Sequence, residues 1–309
     1  MSRGEVLDWI EAGRVAPGAE RDALRAAGMI PAPAEWRGFL ARLALWLGTV
    51  ALAAAVIFFF AFNWDDLGRF AKFGLLEAAI VAGLLALWWT GLDVVAGKAL
   101  LTLLSLLVGA LLALTGQVYQ TGADTYELFA WWAVLILPWV VVGRFSPLWL
   151  LWLGLVNLAV WFYFSLGFGG EALMWALFAL NGLALAAWEA AHRAGVSWLR
   201  DDWPPRLVAV AAGSCATGLA IWAILDRGAG ILPFLAWLGV VYYWYRHVRP
   251  DLFMLAGGLL GLIVVVVAFL TRHMFEAGSA SFLFIGLVVI GLSGGGAMWL
   301  KSLAREQRA

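Results

Sequence analysis

From Ala41 to Leu300 the chain is a succession of apolar runs separated by short polar breaks, at about 41–62, 70–92, 98–118, 126–143, 147–164, 171–191, 207–225, 229–245, 251–270 and 279–300. Each is near the roughly 20 residues that an α-helix needs to cross about 30 Å of hydrocarbon. The shortest, 147–164 and 229–245, still reach across. With 64% hydrophobic and 13% charged residues and a mean hydropathy of +0.91, the chain is too apolar for a soluble globular domain. Its 20 Trp and 19 Phe recur near the run ends, as interfacial aromatic belts do. The expected fold class is all-α, a polytopic transmembrane helical bundle of about ten spans.

Several functions are disfavoured at once. Net charge is zero, so there is no basic footprint for nucleic acid. The single cysteine, Cys215, lies inside an apolar run, which excludes an intrachain disulfide and a thiolate metal site. His192, His247 and His273 are scattered at run ends. No histidine metal site is expected, and no cofactor.

Residues 1–40 have a different character. Val6, Trp9 and Ile10 fall at helical spacing over Glu5 to Ala12, and Gly13 suits the position after a helix end. Pro17 suits the first position of a second short helix running to about Ala27, with Gly28 behind it. Pro31 and Pro33 end the segment. The expected organisation is a small two-helix cytoplasmic module with a linker (1–40), a membrane domain (41–300) and a basic cytoplasmic tail (301–309). A signal peptide is not expected, because the apolar run beginning near Ala41 is too long. With the N-terminus inside, the outer loops keep only Arg69, Lys72, Arg227 and Arg272, and every other Lys and Arg falls on the cytoplasmic side. That asymmetry predicts both termini in the cytoplasm.

Two polar stretches interrupt the first half: Phe62-Asn63-Trp64-Asp65-Asp66-Leu67 with Lys72-Phe73-Gly74-Leu75-Leu76-Glu77, and Gly116-Gln117-Val118-Tyr119-Gln120-Thr121-Gly122-Ala123-Asp124. Together with the opening Leu7-x-Trp9-x-x-x-Gly13, they resemble the bacterial membrane-protein family known as domain of unknown function 2157, over roughly residues 1–145. The resemblance implies an integral protein of the bacterial cytoplasmic membrane. It carries no activity, cofactor or catalytic residue across.

Glu77 is the sharpest of the polar signals. It falls about seven residues into the second span, on the order of 10 Å below its outer end. An ionisable group at that depth is costly and marks a functional site or an internal pair; low dielectric favours its protonated form, which suits proton-coupled work. Lys72 is expected to snorkel to the outer headgroups. Asp65 and Asp66 either cap the second helix or join a site, and Asp124-x-x-Glu127 has the form of a capping box for the fourth. Gln117 and Gln120 are expected on one face of the third helix. The topology puts Asn63, Asp65, Asp66, Glu77, Gln117, Gln120, Asp124 and Glu127 at the outer ends of helices one to four. If those helices adjoin, they form an acidic, amide-rich vestibule ringed by Trp64, Tyr119 and Tyr126. Asn157 and Asn181, near the middle of consecutive spans, are expected to bond to each other.

Three functional classes follow. Ten helices with both ends inside divide into halves of opposite orientation, as in secondary transporters and the drug and metabolite transporter superfamily, an analogy of fold only. That reading has a transporter or channel-like protein for a small polar solute or cation, although no second ionisable group lies clearly inside a span of the second half. The alternative is a non-catalytic membrane sensor or envelope-assembly component whose residues 1–40 bind a cytoplasmic protein. An intramembrane enzyme working on lipid-linked substrates through Asp65 and Glu77 lacks an outer basic cluster for phosphate. Gly291-Leu292-Ser293-Gly294 resembles the serine motif of rhomboid proteases, but no later helix supplies a histidine base.

Overall fold

The structure, a computed structural model, describes residues 3–226, 228–274 and 279–306, so Arg227 and Arg308 of the orientation argument lie outside the described residues. Among these residues the regular elements are helices. Two short ones come first, α1 (Arg3–Glu11) and α2 (Glu20–Ala26). Gly13 and Gly28 follow them at φ +64° and +63°, the left-handed geometry in which glycine ends a helix. Pro17 does not open α2. It shares a turn with Gly18 (φ +90°), closed by Ala19 N donating to Ala16 O at 2.9 Å.

The chain divides into two compact units, Met1–Val118 and Tyr119–Ala309. In the first, α3 (Pro33–Phe62) starts at Pro33 rather than near residue 41. Proline is pre-set for a first helical turn, and the Glu35 carboxylate accepts the Ala32 N–H at 3.0 Å. The helices α4 (Arg69–Thr90) and α5 (Val95–Tyr119) follow. Ala53 and Phe60 of α3, Leu76 of α4 and Leu103, Leu107 and Leu114 of α5 make one apolar core. A Cβ on Gly83 would stand 2.8 Å from Leu104 Cδ2, so glycine is what lets α4 lie against α5 there.

The second unit holds α6 (Thr125–Gly143), α7 (Ser146–Phe164), α8 (Gly170–Arg193), α9 (Trp203–Asp226), α10 (Ile231–Tyr243), α11 (Leu252–Met274) and α12 (Ser279–Glu306). Neighbours in sequence pack together, α6 on α7, α7 on α8 and α8 on α9, while α9 also meets α10 and α11, and α11 meets α12. Pro204 and Pro205, which fall between the expected runs 171–191 and 207–225, lie in the first turn of α9, where a missing N–H costs no helical bond.

Nine helices among the described residues are long and apolar enough to cross a membrane. The expected span 229–245 is the exception. Its α-helix α10 has 13 residues, about 20 Å, and continues as a π-helical turn over Trp244–Val248. The start is fixed at Gly230, where any Cβ would collide with the Leu219 carbonyl. The end changes winding where Trp244 and Tyr245 turn toward a carboxylate on α8. The protein is a helical membrane protein with many apolar spans.

Candidate functional site

The expected vestibule residues are divided between the units. In the first, Asn63 ends α3 and its Nδ2 donates to Phe59 O at 2.8 Å. Asp65 and Asp66 are exposed in the turn. Neither caps α4, whose N-cap is Gly68: the helix begins three residues later than a cap at Asp65 requires. Glu77 lies eight residues into α4, about 12 Å along its axis, and its side chain is exposed. Gln117 is exposed on the last turns of α5.

Lys72 does not snorkel. It is 7% exposed, with Nζ 3.6 Å from the centroid of the Trp64 ring. The turn between α3 and α4 folds Trp64 back over the start of α4, so the ammonium meets the negative face of an indole.

In the second unit, Gln120 falls outside α5 at φ +46°. It therefore shares no helical face with Gln117; the left-handed residue is what ends the helix. Asp124 is the N-cap of α6, as its spacing suggested, but its side chain makes no capping bond. Glu127 N donates to Asp124 O at 3.0 Å, and Glu127 Oε1 accepts the Tyr126 hydroxyl at 3.4 Å.

Sequence reasoning missed a second charged cluster, centred on Glu189. This residue lies one turn from the end of α8 and is 5% exposed. Its Oε1 accepts from Tyr245 Oη at 2.9 Å and Arg249 Nη1 at 3.0 Å, and its Oε2 from Arg249 Nη1 at 3.1 Å and Trp244 Nε1 at 3.4 Å. Arg249 Nη2 also pairs with Asp202, in the loop before α9. Arg193 places its guanidinium 4.1 Å from the Trp244 ring centroid. Nearby, Arg206 of α9 pairs with Asp251 at 2.9 Å and Arg246 with Glu306 of α12 at 2.6 Å. Burial by itself lowers the Arg249 pKa, but hydrogen bonds to Asp202 and Glu189 outweigh it, and the guanidinium is held above its ordinary value. The cluster is thus a charged clasp that ties the end of α8 to the π-helical turn of α10 and to the loops flanking α9 and α11. The signal available in the sequence was one acid in an alanine-rich stretch, Trp188-Glu189-Ala190-Ala191, four residues before Arg193. That spacing reads as a local i, i+4 pair; the true partner lies 60 residues onward.

Among the described residues no group of His, Cys, Asp and Glu has an arrangement that would hold a metal ion.

Residues 7–149 match the model of a family described as Predicted membrane protein (DUF2157), which overlaps the stretch of roughly residues 1–145 over which the sequence resembles it. No curated protein and no solved structure matches the chain.

Proposed function

We propose that the protein is a transporter of a small polar solute or cation, with Glu77 as its membrane-embedded contact. The observation that carries this reading is Glu77 itself. A carboxylate about 12 Å into an apolar helix, exposed and with no hydrogen bond or ion pair among the described residues, is costly to leave facing hydrocarbon. Water or a polar solute would relieve that cost.

The proposed setting is the bacterial cytoplasmic membrane with both termini inside. That orientation requires α10 and its π-helical extension to cross as a tenth span. Everted vesicles carrying the protein, acidified and loaded with a pH-sensitive dye, test the function against a panel of monovalent and divalent cations and small polar solutes. Proton release on adding one of them, absent from control vesicles, supports it; silence across the panel removes it.

A second reading, a non-catalytic sensor or assembly component, rests on α1 and α2 standing ahead of the first span. It requires a cytoplasmic protein that co-purifies with the full chain and is lost when residues 1–32 are deleted.

A further inference from the structure

A groove of about 360 Å³ runs between α9 and α11, with α10 behind it. Its α9 wall carries Val210, Gly213 and Thr217, and its α11 wall Phe253, Gly257 and Gly261. Spacings of three and four residues place each set on one helical stripe. Glycine lets the walls approach closely at two points, where a Cβ on Gly213 would stand 3.3 Å from Trp237 Nε1 and one on Gly261 3.0 Å from Thr217 Oγ1, and leaves open space at Gly257, where a Cβ would meet nothing within 4 Å. Val210, Phe253 and Gly257 are exposed, so the groove opens outward from these helices.

Arg206 stands at one end of it, one turn before Val210 on the same stripe of α9. Its Nε donates to Asp251 Oδ2 at 2.9 Å. The buried Asp251 uses its other oxygen on Phe253 N at 2.9 Å and Met254 N at 3.5 Å. The guanidinium lies 5.5 Å from the Phe253 ring centroid, and the side chain is 37% exposed. One edge of the guanidinium is therefore fixed. Neither Nη group makes a bond to the protein among the described residues, and the side chain is partly exposed. From Arg206 to Thr217 is about 16 Å along α9, close to half of the roughly 30 Å hydrocarbon core.

We propose that this groove holds one acyl chain of an anionic phospholipid, with its phosphate on the Nη groups of Arg206. Depth matches a single leaflet. An acyl chain gains little by leaving lipid for a groove in the same bilayer, so the headgroup contact sets the preference. A guanidinium pinned through Nε presents the planar fork that suits a phosphate. The proposal needs the spans to be membrane-embedded but does not need the transport reading.

Native mass spectrometry on the full chain, stripped of lipid and titrated with phosphatidylglycerol or phosphatidylcholine of identical chains, tests it. The first phosphatidylglycerol is expected to bind about tenfold more tightly than phosphatidylcholine, because phosphatidylcholine carries beside the same phosphate a choline cation that the Arg206 guanidinium repels. Arg206→Gln should erase the preference while leaving weak binding of both lipids. Gly257→Phe, whose new side chain enters open groove rather than packed protein, should abolish the first binding event with the melting temperature unchanged. Should Gly257→Phe fail to fold, Arg206→Gln alone decides. Equal affinity for the two lipids, binding of neither, or a preference that survives Arg206→Gln overturns the proposal.

Discussion

Asn157 of α7 and Asn181 of α8 exchange their amides in the interior of the second unit. Asn181 Nδ2 donates to Asn157 Oδ1 at 2.6 Å, and Asn157 Nδ2 donates to Asn181 Oδ1 at 3.2 Å. Each Nδ2 also donates to its own helix, to Leu177 O at 2.9 Å and Leu153 O at 2.8 Å respectively. Both amides are thereby fully used as donors, which is how two polar side chains stand in an apolar interior without penalty.

This pair predicts a measurable coupling. Asn181→Leu and Asn157→Leu should each destabilise the protein by about 0.6–2 kcal/mol, the range for interhelical hydrogen bonds in membranes. The double variant should lose clearly less than the sum, because each single change strands the other amide. Unfolding of the three variants in detergent–denaturant mixtures checks it; strictly additive losses would show that the pair does not stabilise the α7–α8 contact.

Glu189 and Arg249 form the interaction whose loss should be largest. Removing Arg249 leaves the buried Glu189 carboxylate without its cation, so Arg249→Leu should cost about 3–5 kcal/mol. Glu189→Leu combined with Arg249→Leu should recover part of that loss. The Arg249 pKa is raised, so its contribution is fully present below the unfolded-state value and is lost only as pH climbs through the higher folded value. The stability gap between wild type and Arg249→Leu should therefore stay flat between about pH 7 and 10 as far as Arg249 is concerned. A gap that closes within that range would contradict the assignment.

Lys72 should depend on Trp64. In wild type, Lys72→Met is expected to cost about 1–2 kcal/mol, the scale of a desolvated cation–π contact. In a Trp64→Leu background the same change should cost far less. If Lys72→Met is equally harmful in both backgrounds, the indole is not what holds the ammonium.

These features differ in how far the sequence announces them. The Asn157–Asn181 pair was legible because two amides at mid-span in consecutive helices have few other partners. The apolar spans were legible from run length alone. Gln120 was misplaced because a left-handed residue is a backbone choice that residue type only biases. Trp64 over Lys72 depends on how one turn folds back, and neither hydropathy nor spacing encodes that. Glu189 was hidden by a nearer decoy, Arg193, while its true partner comes after three further elements. The division of the run 229–245 into α10 and a π-helical turn follows from contacts at Gly230 and Glu189, which periodicity does not register.

Glu77→Gln tests the central claim most directly. The variant and wild type would be reconstituted at equal protein content into proteoliposomes, and solute-driven proton flux compared for a solute active with wild type. The account predicts that flux falls to the level of empty liposomes while expression and melting temperature are unchanged. Undiminished flux in Glu77→Gln, or a variant that loses flux only because it unfolds, would contradict a carboxylate contact at Glu77.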